Sequence, residues 1–188
     1  MGRWEPNARG RLEQAALELC AERGFDQTTV AQIAERAGLT ERTFFRHFAD
    51  KREVLFWGAG ALQQLLVNAV AEAPDSLAPI DMVALALEAA DGPFSERRPF
   101  SRQRQDIIAA NAELQERELI KLASLAAALA DTLRRRGVKD PAASLAAEAG
   151  IAVFKTAFER WVQETNQLGF AELVRESLDE LKAVAAGR

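Results

Sequence analysis

Arg42, Thr43, Arg46 and His47 fall on one side of a helix when the chain is laid out at 100° per residue, and Phe44, Phe45 and Phe48 fall on the other. Two guanidinium groups, a hydroxyl and an imidazole on one short helical face suit the major groove of DNA. Arginine bonds guanine through two parallel hydrogen bonds or holds a phosphate, and a threonine methyl can touch that of thymine. For a lone stretch, a solvated charged face explains the pattern equally well. The neighbouring residues decide between the two.

Those neighbours position the face. Thr29 caps a short helix, and Gln32 three residues later completes a capping box. Ile33 and Ala37 point inward, and Ala34 is small where a second helix must cross closely. Gly38 permits the positive φ of a tight turn, Leu39 fills the angle, and Thr40 caps the second helix. Small Ala34, Gly38 four residues on and apolar Phe44 six further on form the spacing of a helix-turn-helix.

The rest of the chain reads as helix too. Apolar residues recur at three and four spacings, and no stretch alternates with β-branched enrichment. About nine helices are expected, near 7–23, 29–36, 40–47, 51–72, 79–90, 95–109, 112–136, 141–166 and 170–186. Gly24 and Gly137 suit helix ends, and Asp140-Pro141 suits a restart with Asp140 as cap. The fold class is all-α. The expected division is a DNA-binding domain over 1–50 and a ligand-binding and dimerisation domain over 51–188.

Composition excludes several classes. The 188 residues carry a net charge of −4, so no bulk basic coat draws DNA in. Residues 1–56 hold nine basic and nine acidic side chains, so affinity must come from where the cations point. Cys20 and His47 are the only cysteine and histidine, too few for a usual zinc site, and no metal or other cofactor is expected. No Gly-rich phosphate loop or nucleophile elbow appears, so an enzyme is not expected. No cationic-then-apolar leader opens the chain and no apolar run reaches about 18 residues, which predicts a cytoplasmic protein with no membrane partner.

Residues 8–56 closely resemble the DNA-binding domain of the tetracycline-repressor (TetR) family. The resemblance rests on Ala15-Ala16-Leu17-Glu18-Leu19, Glu22-Arg23-Gly24-Phe25, Thr28 through Ala34 and Ala37-Gly38-Leu39. It continues through Phe44-Phe45-Arg46-His47-Phe48, Asp50-Lys51 and Val54-Leu55. It implies a homodimeric, all-helical repressor with a three-helix, homeodomain-like reading head and a variable ligand-binding domain. It places Thr29, Phe45, His47 and Lys51 where the family touches phosphates, and Thr40, Glu41, Arg42, Thr43 and Arg46 where it reads bases. The implied partner is double-stranded DNA carrying an inverted repeat. Phe45 stands where the family usually has Tyr, so a phosphate-bonding hydroxyl is lost; Arg42 stands where Gly is frequent. Arg3 is a candidate for a minor groove, against the plainer reading of a loose tail.

In the C-terminal half, the 141–166 helix is apolar nearly all round, which predicts burial on all faces. Its small-residue stripe of Ala146, Gly150, Val153 and Ala157 suits close helix approach. By the family resemblance it pairs with a second copy, together with Val174, Leu178 and Leu181 of the last helix; an ordinary monomeric core is the alternative. Trp57, Met82, Phe94, Phe100, Ile107 and Leu114 are candidate walls of a ligand pocket, each individually explicable as core. Arg97, Arg98, Arg102 and Arg104 make a cationic run that suits either a solvated face or the mouth of an anion site, with Arg102 the candidate contact. The pattern from Arg102 through Ala110, Glu113-Leu114 and Arg117 to Phe158 and Trp161 is similar to TetR-family C-terminal domains associated with acyl-CoA-like ligands. The competing functions are an activator with the same reading head and a non-catalytic helical interaction protein.

Overall fold

A computed structural model describes residues 7–187. Every regular element among them is helical: α1 (Ala8–Arg23), α2 (Val30–Arg36), α3 (Glu41–His47), α4 (Glu53–Phe56), α5 (Ala59–Glu72), α6 (Pro79–Glu88), α7 (Asp91–Ser95), α8 (Arg98–Ala109), α9 (Ala112–Arg135), α10 (Ala142–Trp161) and α11 (Phe170–Ala185). Nine of the eleven have seven residues or more. Arg3 lies outside the described residues.

One short helix, α4, arises where an expected helix breaks; the other, α7, fills the gap expected between the 79–90 and 95–109 helices. The expected 51–72 helix is divided at Trp57–Gly58 into α4 and α5. The Leu55 carbonyl, which an unbroken helix would offer to Ala59, instead accepts from Arg104 Nε at 2.6 Å. The glycines are not there for close packing: a Cβ at Gly58 or Gly60 would meet nothing within 4 Å. By length and composition Glu53–Glu72 would qualify as a membrane span, which corrects the expectation that no apolar stretch reaches that length. With the break, the fourteen residues of α5 extend about 21 Å, short of the ~30 Å hydrocarbon core. Pro93, expected in a loop, lies within the five-residue α7, and Pro99 falls in the first turn of α8, where no N–H is needed. Asp140, expected to cap α10, has its carboxylate engaged by Arg134 and the Ser144 hydroxyl.

The described residues form two compact units. The first comprises the described part of Met1–Gly58 together with Gln103–Glu118; the second comprises Ala59–Arg102 and the remainder from Leu119 onward. In the first unit, Leu12, Leu17, Ile33, Phe44, Ile108 and Leu114 are fully buried. The 103–118 segment is attached by charge as well as by apolar burial. Arg117 pairs with Glu53, Arg52 Nη1 donates to Glu113 Oε1 at 2.8 Å, and Arg104 reaches Glu118 at 3.5 Å and stacks over the Phe56 ring at 4.8 Å.

The second unit has one core built from α5, α6, α9, α10 and α11. Phe94 sits among Phe154, Phe158, Trp161 and Phe170, with ring centroids 4.9–6.2 Å away. The small-residue stripe of α10 turns inward. A Cβ on Gly150 would collide with Val83 of α6. Ala146, Val153, Ala157, Val174 and Leu178 are all buried within the single chain, and Leu181 is half-buried against the same core. Within one chain these side chains are therefore covered mainly by α6 and by each other's helices. The large apolar residues that α10 and α11 leave exposed are Leu145 and Val184.

Candidate nucleic-acid interface

The reading head forms as its caps dictate. Thr29 accepts from the Gln32 amide at 3.2 Å while Gln32 Oε1 accepts from the Thr29 amide at 3.0 Å, a complete capping box. The turn after α2 closes with Gly38 at φ 65°. Arg11 of α1 reaches under that turn, donating to the Ala37 carbonyl, so α1 holds the corner between α2 and α3. Thr40 caps α3 by accepting from the Thr43 amide at 3.2 Å. Phe44 and Phe48 then enter the core at 0% and 4% exposure and fix the rotation of α3.

That rotation leaves Thr40, Glu41, Arg42 and Arg46 exposed and Thr43 and His47 half-buried. Phe45 lies at the edge of the apolar side and is 55% exposed, unlike Phe44 and Phe48. Its ring meets Phe44 edge-on at 5.5 Å and offers an apolar surface without a hydroxyl. Arg42 and Arg46 are i,i+4 neighbours of like charge, a mildly destabilising arrangement that the fold does not need. Asp50, four residues beyond Arg46, is bound to Arg52 instead, which holds its carboxyl below the usual range.

Two of the expected phosphate contacts stand in different surroundings. Lys51 Nζ donates to the Phe25 carbonyl at 2.8 Å and the Thr28 carbonyl at 2.9 Å, and lies 4.0 Å from the Phe25 ring centroid. It ties the α1–α2 connection to the start of α4. The His47 imidazole keeps a buried Nε2 with no hydrogen-bond partner among the described residues. Burial pushes its pKa down, and the charges of Arg46 and Arg9 add to that shift. Arg9 was not legible as part of this surface. Glu13, four residues on, is 4% exposed, and its charge favours the cation of Arg104.

The candidate ligand residues are not gathered into one unit. Trp57, Ile107 and Leu114 belong to the first, and Met82, Phe94, Phe100 and Arg102 to the second. Ile107, Leu114 and Met82 are buried. Phe100 lies under the Arg97 guanidinium at 4.0 Å. Arg102 donates to the Val162 carbonyl at 2.7 Å and pairs with Glu164, while Arg98 donates to the carbonyls of Trp161, Gln163 and Asn166. These two cations close the C-terminal end of α10, where carbonyls lack helical partners and the dipole is negative. No group of three or more potential metal ligands occurs among the described residues.

Residues 13–56 match the family of bacterial regulatory proteins described as tetR, and residues 77–186 match the MftR C-terminal domain. The chain is 38% identical over 84 residues to the transcriptional regulator TcmR of Streptomyces glaucescens, covering 45% of this chain and 37% of TcmR. It is 27% identical over 191 residues to the mycofactocin biosynthesis transcriptional regulator MftR of Mycobacterium tuberculosis, covering 96% of each. Among solved structures, the regulator FadR of Bacillus subtilis in complex with stearoyl-CoA shares the fold. Its TM-score is 0.64 at 19% identity, over 92% of this chain and 96% of that one. The capped α2–α3 pair and the two family matches agree, and the chain belongs to the TetR family of DNA-binding transcriptional regulators.

Proposed function

We propose that this regulator is a homodimeric repressor that holds an inverted-repeat operator and leaves it when a small ligand binds. One observation carries the reading: the caps and core of α3 leave Arg42 and Arg46 exposed and free of ion pairs among the described residues. Residues 1–50 act as the reading head and 51–188 as the sensing and dimerising part, in the cytoplasm. Arg42, Arg46, Thr43, Glu41 and Thr40 read bases; Thr29, Phe45, His47 and Lys51 lie along the backbone.

The second copy meets this one across α10 and α11, at the exposed Leu145 and Val184, which are 65% and 64% accessible. A Leu145→Glu, Val184→Glu double variant is expected to sediment as a monomer and to lose most operator affinity, because two half-sites must be held at once. An unmodified chain that sediments as a monomer at micromolar concentration overturns the dimer.

The ligand is of the long-chain acyl-CoA class, bound in the second unit around Met82 and Phe94, with Phe100 and Arg102 as outer candidates. Support comes from the aromatic cluster around Phe94 and from the stearoyl-CoA bound by the FadR of similar fold. Selection of duplexes from a random pool by the full chain tests the whole reading. It is expected to return a palindrome whose half-sites lie about one helical turn, or a multiple of it, apart. Addition of stearoyl-CoA is expected to release the duplex. Release that requires the ligand to be absent would make it a co-repressor, and transcription that rises on binding would make the protein an activator.

A further inference from the structure

The segment between α6 and α8 is pinned at both ends. Ala90 is buried in the core of the second unit. Arg98 donates to the carbonyls of Trp161, Gln163 and Asn166, with its guanidinium 5.8 Å from the Trp161 ring centroid. Between these points lies α7, none of whose five residues is buried. Gly92, Pro93 and Ser95 are exposed, and a Cβ on Gly92 would meet nothing within 4 Å. Among the described residues, α7 is held down by the Asp91 carboxylate, which accepts from the Ala171 amide at 3.1 Å, and by the Phe94 ring, which enters the aromatic cluster. A helix of five residues has little stability of its own, so α7 stays in place chiefly through that ring.

The cluster is a cage that Phe94 fills from its rim. Phe154, Trp161 and Phe170 are buried, whereas Phe94 is half-buried. Its ring stacks on Trp161 at 5.5 Å and 26° and meets Phe170 edge-on at 4.9 Å. The other four rings stand on α10 and α11 and also touch one another, at 5.7–5.9 Å between centroids. The cage therefore keeps its walls when Phe94 leaves. A half-buried ring costs less to withdraw than an enclosed one, and an apolar chain in its place shields the same aromatic surface from water.

We propose that Phe94 is a stopper: it occupies the place of the ligand's hydrocarbon chain, which enters the cage of Phe154, Phe158, Trp161 and Phe170 as α7 swings away on its pinned ends. The inference rests on the ligand-sensing reading given above, and it turns Phe94 from a wall of the site into its displaceable occupant. The closed state competes with the ligand. Apparent affinity is the intrinsic affinity reduced by the fraction of molecules in which Phe94 is out. Withdrawal of α7 also takes the Asp91 carboxylate from the Ala171 amide, so occupancy of the cage is felt at the start of α11.

The test uses the full chain with stearoyl-CoA as the probe. Phe94→Ala vacates the stopper's place and is expected to tighten stearoyl-CoA binding roughly tenfold, as for an open state held by about one molecule in ten. Phe94→Leu should fall between the variant and the parent. Weaker binding by folded Phe94→Ala makes Phe94 a wall and overturns the stopper. The parent chain supplies two readouts that need no variant to fold. Ring-to-ring NOEs from Phe94 to Trp161 and Phe170 should vanish on addition of stearoyl-CoA, and the same two rings should gain NOEs to acyl methylenes. Phe94 NOEs that persist in the saturated complex overturn the stopper. Without any ligand, the Phe94 amide, bonded to the Ala90 carbonyl at 3.0 Å, should exchange about a hundredfold or more faster than that of Phe154 in α10, through an opening that leaves the core folded. Equal protection of the two amides overturns the stopper whatever the ligand. Fast exchange at Phe94 in a parent chain that binds no stearoyl-CoA supports the stopper and overturns the acyl-CoA reading instead.

Discussion

Two helices of this protein are rich in arginine, and they use it in opposite ways. On α3, Arg42 and Arg46 face outward, with no acidic or carbonyl partner among the described residues. On α8, Arg98 and Arg102 are bonded to carbonyls at the end of α10, and Arg104 to the carbonyl of Leu55 and the carboxylate of Glu118. In the sequence both runs look cationic and exposed. The difference is the helix end: its last carbonyls are strong acceptors that no residue letter announces. A cation opposite a helix C-terminus serves the fold, and a cation on the outward face of a capped short helix is free to serve a ligand.

The comparison can be broken most easily at Arg104. Burial pushes its guanidinium pKa down, and Glu118 and Glu13 oppose that shift. Arg104→Met removes the charge from between two acids and strips the Leu55 carbonyl of its donor. It is expected to cost about 2–4 kcal/mol of folding stability, measured by urea unfolding. A loss below ~1 kcal/mol would mean that the arginines of α8 are no more structural than those of α3.

The opposite side is sharpened by Arg42→Ala and Arg46→Ala. Each is expected to leave stability within about 0.5 kcal/mol and to cost about 1–3 kcal/mol of operator binding if it reads guanine. Preference should relax at one base pair per half-site. Intact preference in both variants removes them from base reading.

The contrast explains what could be read in advance. The α2–α3 pair was legible residue by residue, because Thr29, Gln32, Gly38 and Thr40 act on groups within four positions of themselves. The all-α class was legible from periodicity. Contacts set by tertiary placement were not: Gly150 against Val83, Arg102 against Val162, and Lys51 against Phe25 and Thr28. The expected burial of α10 on all faces holds for one side only: Ala146, Gly150, Val153 and Ala157 are buried, while Leu145, Ala152, Lys155 and Thr156 are exposed.

A smaller effect tests what makes the α4–α5 break. If capture of the Leu55 carbonyl by Arg104 makes it, then Gly58→Ala with Gly60→Ala leaves the break in place. The double variant should gain up to ~1 kcal/mol from helix propensity at Gly60, which lies inside α5, still bind the selected duplex, and respond less to stearoyl-CoA because alanine narrows the backbone freedom at Gly58. Full release at the parental ligand concentration counts against a pivot there.

The smallest effect concerns His47. Its pKa lies below the ordinary imidazole value through burial and the charges of Arg46 and Arg9. A phosphate alongside reverses the charge effect, so the complex binds more protons than the free protein. Affinity should therefore rise a few-fold as pH falls from about 7.5 to about 6. The lowered value also means that the unfolded chain binds more protons than the folded one, so folding stability should decline below about pH 6.5. His47→Gln should flatten both curves; an affinity curve that stays sloped in that variant assigns the effect to another group.

The composition of the first unit also bears on modularity. Ile107, Ile108 and Leu114 are buried in it, yet they arrive from a segment that begins some forty residues after Gly58. The compact unit that carries the 1–50 reading head is thus not a continuous stretch of chain. A chimera that fuses residues 1–58 to a foreign sensor transplants an open core, with Leu55 and Glu53 stripped of Arg104 and Arg117. Exchange of sensing parts between relatives would keep function more readily where the crossovers leave 103–118 with the head. In this architecture the unit of recombination is set by the core, not by the order of the residues along the chain.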